Sequence, residues 1–344
     1  MRSELATMSS IEERKKLHLD ACFTPAVRGN GAGLEHIQLP YDALFEVSDE
    51  KLNTKTRIAG IELDFPLMIG AMTGGTVFAT SFNNCLRSLA QRYHIALCLG
   101  SMRALLNNPD LIETYGAGEV DALFANIGAS EITVYTPQQM EENCKRLGAK
   151  GLFIHLNGLQ EWVQDGGNHD FSMTLDALAR FVEKFKMPVF IKEVGSGIGG
   201  KCAKKLASLP IAGIETASRG GTSWIKIEAA LSQHAYAPED IEALNCVGYT
   251  LEQSIRDCAS CLRPHQTLIA SGGIAQPLEI VQSLALGAHL VAIAQPLYAA
   301  WNDGGAEKLE ARIEAFIRLG RLIWRSTGCA DLAALNACTL YPQR

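Results

Sequence analysis

The chain has 344 residues, 47% of them hydrophobic and 20% charged, with a formal net charge of -6. That much apolar material supports one sizeable core and excludes wholesale disorder. The acidic balance argues against a nucleic-acid binder, which needs a net basic surface or a concentrated basic stripe, so an anionic ligand has to be met by a local cluster of cations.

Met1 to Ser10 holds no apolar core of signal-peptide length, and no later run approaches a membrane span. The expectation is a cytoplasmic protein with no membrane partner. Ser10 and Glu13 have capping-box spacing and open a predicted helix carrying Arg14, Lys15, Lys16 and His18. Arg14 and His18 are four residues apart on one face with Lys15 adjacent, a compact cationic surface suited to a diphosphate. A solvated charged face is the alternative.

Short apolar runs then recur, each ending in small or polar residues and each followed by helical periodicity. They predict strands over 67–71, 96–100, 123–127, 151–156, 189–193, 212–216, 267–271 and 290–294, with crossover helices among them over 82–93, 175–185, 200–209 and 277–286. Eight βα units close naturally into an α/β fold of the (β/α)8 TIM-barrel type over 66–344, preceded by an N-terminal extension over 1–65. A doubly wound open sheet is the alternative, disfavoured because no G-x-G-x-x-G follows the first strand. The irregular stretches, 1–65, 158–171 and 218–266, are expected to cover the active end. Ten cysteines are scattered without the spacing of a disulfide framework. Cys258 and Cys261 form a lone C-x-x-C, read as thiols on a helix rather than as a metal site.

A barrel places its active site at the C-terminal ends of its strands, and the residues there are polar. Ser271, Gly272 and Gly273 close the seventh run, and Ala294 and Gln295 the eighth, where barrels build a phosphate site from backbone N–H groups. Gly220, Gly221 and Thr222 follow the sixth. A plain turn is the other reading of each Gly pair. Lys192 ends the fifth run, where burying a charge is costly without a partner or ligand. It is read either as facing a flavin ring or as a salt bridge to Glu193 or Glu215.

Together these motifs resemble the type 2, FMN-dependent isopentenyl-diphosphate isomerases. The likeness runs through Arg14-Lys15 with His18, Ala71-Met72-Thr73-Gly74-Gly75, Gly100-Ser101 with Arg103 and Asn126-Ile127-Gly128. It continues through Lys192-Glu193-Val194-Gly195, Gly220 to Trp224 with Glu228, and Ala270 to Ile274. The run His155-Leu156-Asn157 with Gln160-Glu161 is the specific element. The resemblance implies interconversion of isopentenyl and dimethylallyl diphosphate on reduced FMN, with Mg2+ and with NADPH as reductant. It implies a homo-oligomer, tetramer or octamer.

By position, the resemblance gives Gln160 to the isoprene carbons as catalytic residue and Glu161 to the metal. It gives Arg14, Lys15, His18, Ser101, Arg103, His155, Asn157 and Gln160 to the substrate. FMN would be held by Met72, Thr73, Gly74, Ser101, Asn126, Lys192, Thr222, Gly272, Gly273, Ala294 and Gln295, with Glu228 in the polar network nearby. Four places depart from the pattern. Met102 stands where Gln is usual, Gly158 replaces a bulkier residue, Asn168-His169 replaces Asp-Arg, and 215–219 differs enough that Ala217 and Ser218 receive no FMN contact. An FMN-dependent oxidoreductase of the hydroxy-acid oxidase type, with a strand-end His as base, is the alternative function; only His155 with Arg103 offers a partial match to it.

Overall fold

The computed structural model describes Leu17, Ala21 and residues 27–342, without the side chain of Pro342. The predicted N-terminal helix, with Ser10, Glu13, Arg14, Lys15, Lys16 and His18, lies outside the described residues.

Eight strands form the barrel: β1 (Leu67–Ile69), β2 (Ala96–Ser101), β3 (Leu123–Gly128), β4 (Leu152–Leu156), β5 (Val189–Glu193), β6 (Gly213–Glu215), β7 (Thr267–Ala270) and β8 (Leu290–Ile293). Each pairs in parallel with the next, and β8 pairs with β1 through Val291 and Leu67, which closes the ring. All eight predicted runs are strands and the open-sheet alternative falls away. β1, β6, β7 and β8 stop a residue or two early, where the chain turns into the loops of the cavity described below. The four predicted crossover helices form as Thr80–Arg92, Thr174–Lys184, Gly200–Ala207 and Pro277–Ala285. Cys258 and Cys261 lie in a further helix, Leu251–Cys261, started by a capping box between Thr250 and Gln253.

Side chains alternate across a strand, and here the alternation sorts two shells. Outward residues such as Ile69, Leu97, Leu123, Ile154, Ile191 and Val291 join the large cluster under the helices. Inward residues Met68, Cys98, Phe124, Phe153, Phe190, Ile269 and Leu290 form a second cluster inside the ring. Phe153 and Phe190 stack at 4.8 Å, and Phe124 meets each edge-on at 5.5 Å. Ahead of β1, the antiparallel hairpin Thr56–Ile58/Ile61–Leu63 adds the buried Ile58 and Leu63 to this cluster. The N-terminal end of the barrel is therefore stoppered, and only the other end is available to a ligand. Among the described residues no helix is long and apolar enough to cross a membrane.

Candidate active site

Two positions beyond the aromatic floor the inward residues turn polar. They line a cavity of about 490 Å3 at the C-terminal ends of the strands, within the usual size of a cofactor or ligand site. Asn126 follows Phe124, His155 follows Phe153, Lys192 follows Phe190 and Glu215 follows Gly213, so one register sets both floor and site. Across the strands His155 is paired with Lys192, and Lys192 with Glu215.

His155 Nδ1 lies 2.7 Å from Asn126 Oδ1, which orients the ring. Burial, aided by the nearby Lys192 ammonium, pushes its pKa down to about 3, so the imidazole is neutral at neutral pH. Lys192 is buried, donates to the Glu193 carbonyl at 2.9 Å and pairs with Glu215 Oε1 at 3.2 Å. The salt-bridge reading holds for Glu215 and not for the Glu193 carboxylate, and the paired lysine also stands on the cavity wall. One of its three donors remains for a ligand among the described residues. The Glu193 carboxylate is consumed by its own loop, accepting from the N–H groups of Gly195, Ser196 and Gly197 at 2.6–2.7 Å.

Met72, Thr73 and Gly74 form the wall after β1. Asn83 donates to the carbonyls of Thr73 and Thr114, and Gly75 N–H donates to Thr114 Oγ1. A Cβ on Gly74 would come within 2.3 Å of the Tyr115 ring, whose hydroxyl donates to the Ser101 carbonyl. Glycine is thus required here for close approach, and the turn is braced by the segment after β2. The Thr73 hydroxyl is buried with no partner among the described residues, which suits it to a ligand.

On the opposite side Gly272 and Gly273 have φ of +106° and +80°, and a Cβ on either would fall within 2.6 Å of Ser218 or Gly220 backbone. These turns accept only glycine and present their backbone to the cavity beside Thr222, Ala294 and Gln295. Ser271 Oγ accepts from Ala217 N–H, and Ser218 Oγ donates to the Gly272 carbonyl at 3.0 Å. Ala217 and Ser218, left unassigned from sequence, are wall residues. Ala217 turns with φ +52°, a conformation that an alanine does not advertise.

After β4, the helix Gly158–Val163 carries Gln160 and Glu161. Gln160 Nε2 donates to Glu228 Oε1 at 2.8 Å, while Asn157 Nδ2 donates to Gln160 Oε1 at 3.3 Å and Glu161 Oε1 at 3.0 Å. Glu228 is buried on the helix Trp224–Leu231, which Ser223 caps by accepting from Lys226 N–H. Gln160 and Ser101 line the cavity, whereas Asn157 and Glu161 are not among its lining residues. Arg103 is off the wall too, its guanidinium 3.2 Å from Glu131. Of the departures, Met102 is fully buried in the outer apolar shell. A Cβ on Gly158 would meet only Phe171, at an ordinary 3.9 Å. Asn168 N–H donates to Glu161 Oε2 at 2.9 Å, and His169 packs on Trp162 at 4.4 Å between ring centroids.

The FMN-dependent dehydrogenase family model matches residues 130–342. An isopentenyl-diphosphate delta-isomerase of Mycolicibacterium gilvum is 33% identical over 333 residues, covering 95% of this chain and 96% of that protein. Namesakes from Chlorobium luteolum and a Synechococcus strain are 36% and 33% identical, over 95% and 98% of both chains. The chain belongs to the isopentenyl-diphosphate delta-isomerase family. Among solved structures, a mandelate oxidase with (S)-2-phenylpropionate superposes with a TM-score of 0.68 at 14% identity, covering 96% of this chain and 97% of that one. A flavocytochrome b2 mutant with pyruvate bound gives 0.65 at 18%, covering 92% and 78%. These likenesses carry the barrel fold alone.

FMN, the cofactor of the family, fits the residues present. A glycine cradle closed to any β-carbon, an unpartnered buried hydroxyl on Thr73 and a Lys192 donor face one cavity. No motif pointed to Arg28, Gly29 and Gly31, which also line it, because isolated small and basic residues in an extension carry no periodic signal.

Proposed function

We propose that the protein interconverts isopentenyl diphosphate and dimethylallyl diphosphate on reduced FMN. In this reading Mg2+ neutralises the diphosphate and NADPH reduces the flavin, and the enzyme works in the cytoplasm as a homo-oligomer, tetramer or octamer. The observation that carries the reading is the Gln160 amide on the cavity wall, gripped at both ends by Glu228 and Asn157. An unactivated alkene needs a proton delivered at one carbon and removed at another, so the groups around it must be fixed rather than mobile. Bound reduced FMN supplies acid and base character for those transfers without net redox change.

The chain's own residues do the rest. Gln160 positions the isoprene carbons, its orientation set by donation to Glu228. Glu161 holds Mg2+, for which carboxylate and phosphate oxygens are suitable ligands. Asn157, His155 and Arg103, with Arg14, Lys15 and His18 of the extension, bind the diphosphate. His155 contributes as a neutral hydrogen-bonding group. Met72, Thr73, Gly74, Ser101, Asn126, Lys192, Thr222, Gly272, Gly273, Ala294 and Gln295 hold FMN.

The hydroxy-acid oxidase alternative needs arginines aimed at a substrate carboxylate. It also needs a strand-end histidine as general base, and His155, whose pKa burial pushes down to about 3, is a weak one. The test is an anaerobic assay with reduced FMN and Mg2+, following the two diphosphates by NMR. Interconversion is expected, and Gln160→Ala should slow it about a hundredfold or more while FMN affinity holds. Flavin bleaching by a 2-hydroxy acid, with both diphosphates untouched, would defeat the reading.

A further inference from the structure

The extension reaches the site as a strap. Val27 carbonyl accepts from Ser223 N–H at 2.8 Å, Gly29 N–H donates to Gly221 at 2.7 Å and Gly31 N–H to Gly220 at 3.1 Å. Arg28 and Thr222 are antiparallel bridge partners. The fit is close, because a Cβ on Gly220 would lie 1.9 Å from the Gly31 carbonyl, and one on Gly273 would lie 2.7 Å from it. Strap, Gly220-Gly221 turn and Gly272-Gly273 turn are therefore one packed unit. Val27 turns into an apolar cluster with Ile227. Arg28 falls on the other side, where bridge partners share a face, and it lines the cavity together with Thr222.

The charges on that wall make Arg28 distinctive. Lys192 is matched by Glu215, and His155 is neutral. Among the described residues Arg28 has no carboxylate within ion-pair distance, and it is exposed. Gly272 and Gly273 beside it have backbone N–H groups with no partner among the described residues, whereas those of Gly220 and Gly221 donate to Ser218, and Lys192, the other lysine or arginine on the described cavity wall, is paired with Glu215. A phosphate monoester carries close to two negative charges at neutral pH, which uncharged donors alone match poorly.

We propose that Arg28 is a cofactor-binding residue that clamps the phosphate of FMN against the Gly220-Gly221 and Gly272-Gly273 turns. The assignment rests on the FMN reading above and deepens it. It makes the extension part of the cofactor site and gives FMN its preference over riboflavin, which has the same ring and no phosphate.

The test is titration of the flavin-free full-length protein with FMN and with riboflavin, read by quenching of flavin fluorescence at fixed ionic strength. Arg28→Gln should weaken FMN binding about 10- to 100-fold, the range of a charge-assisted hydrogen bond, and leave riboflavin affinity unchanged. Arg28→Lys should recover part of the loss, and the salt dependence of FMN binding should flatten in Arg28→Gln. Equal losses for both flavins, or no loss for either, would overturn the assignment. So would unchanged FMN affinity with a raised KM for the diphosphate substrate, which would move Arg28 to the substrate. If the unsubstituted protein, folded by circular dichroism, takes up neither flavin, the FMN reading itself falls.

Discussion

His155 owes its charge state to where β4 puts it, inward, partly buried and in register with the Lys192 ammonium. A histidine whose pKa is pushed down to about 3 in the folded protein has an ordinary pKa near 6.5 when unfolded. The unfolded chain therefore binds the extra proton first as pH falls. The stability associated with the neutral ring is complete above about pH 6.5 and is lost as the pH drops toward the folded value, at up to about 1.4 kcal/mol per pH unit. Replacing it tests this: denaturant melts of His155→Asn between about pH 6 and pH 4.5 should show a shallower fall in stability than the parent. Equal slopes would mean that the ring already protonates in the folded protein. At Gln160 the outcome differs in kind. Glu228→Gln keeps the shape but replaces the carboxylate that receives the Gln160 N–H, so turnover should fall while the melting temperature changes little, a separation read by paired kinetics and calorimetry.

At the scale of elements, the loops after β6 and β7 hold each other through Ala217, Ser218, Ser271 and Gly272. Gly273→Ala would place a Cβ 2.6 Å from the Gly220 carbonyl at φ +80°. The backbone penalty alone is about 1–2 kcal/mol, and the clash must displace the cradle. The expected result is a folded protein that has lost much of its FMN affinity, measured by the same fluorescence titration. Arg87 is a second test, since its guanidinium is buried and caps the carbonyls of Tyr115, Gly118 and Leu147 at 2.8–3.0 Å. Arg87→Ala should cost about 2–4 kcal/mol in denaturant melts, because two buried acceptors and a partly buried one lose their donor.

The strands were legible at this scale because each is a short apolar run that ends abruptly, and the polar ends were legible because barrel geometry says where they point. Arg28 and Ser218 were not, since their places depend on which distant backbone they lie against. Glu161, Asn157 and Arg103 follow β4 and β2 in the chain, as their spacing implies, but their present partners, Asn168, Gln160 and Glu131, follow from loop conformations that spacing does not encode.

Across the whole molecule, cofactor binding and folding draw on the same contacts. The cradle, the Thr73 turn and the strap come from opposite ends of the chain, so a ligand touching all three opposes unfolding. FMN at a hundred times its Kd should add about 2.7 kcal/mol to the unfolding free energy, visible as a rise in Tm that riboflavin reproduces only in part. The seam between β1 and β8 has a further consequence for synthesis. A growing chain makes β1 early and its second neighbour nearly last, so until Leu290–Ile293 emerges the nascent sheet stands open with two bare edges. Closure therefore waits on late translation and on a contact between remote segments, which is slow to find. During that interval the half-built ring is the species most exposed to aggregation and most in need of a chaperone.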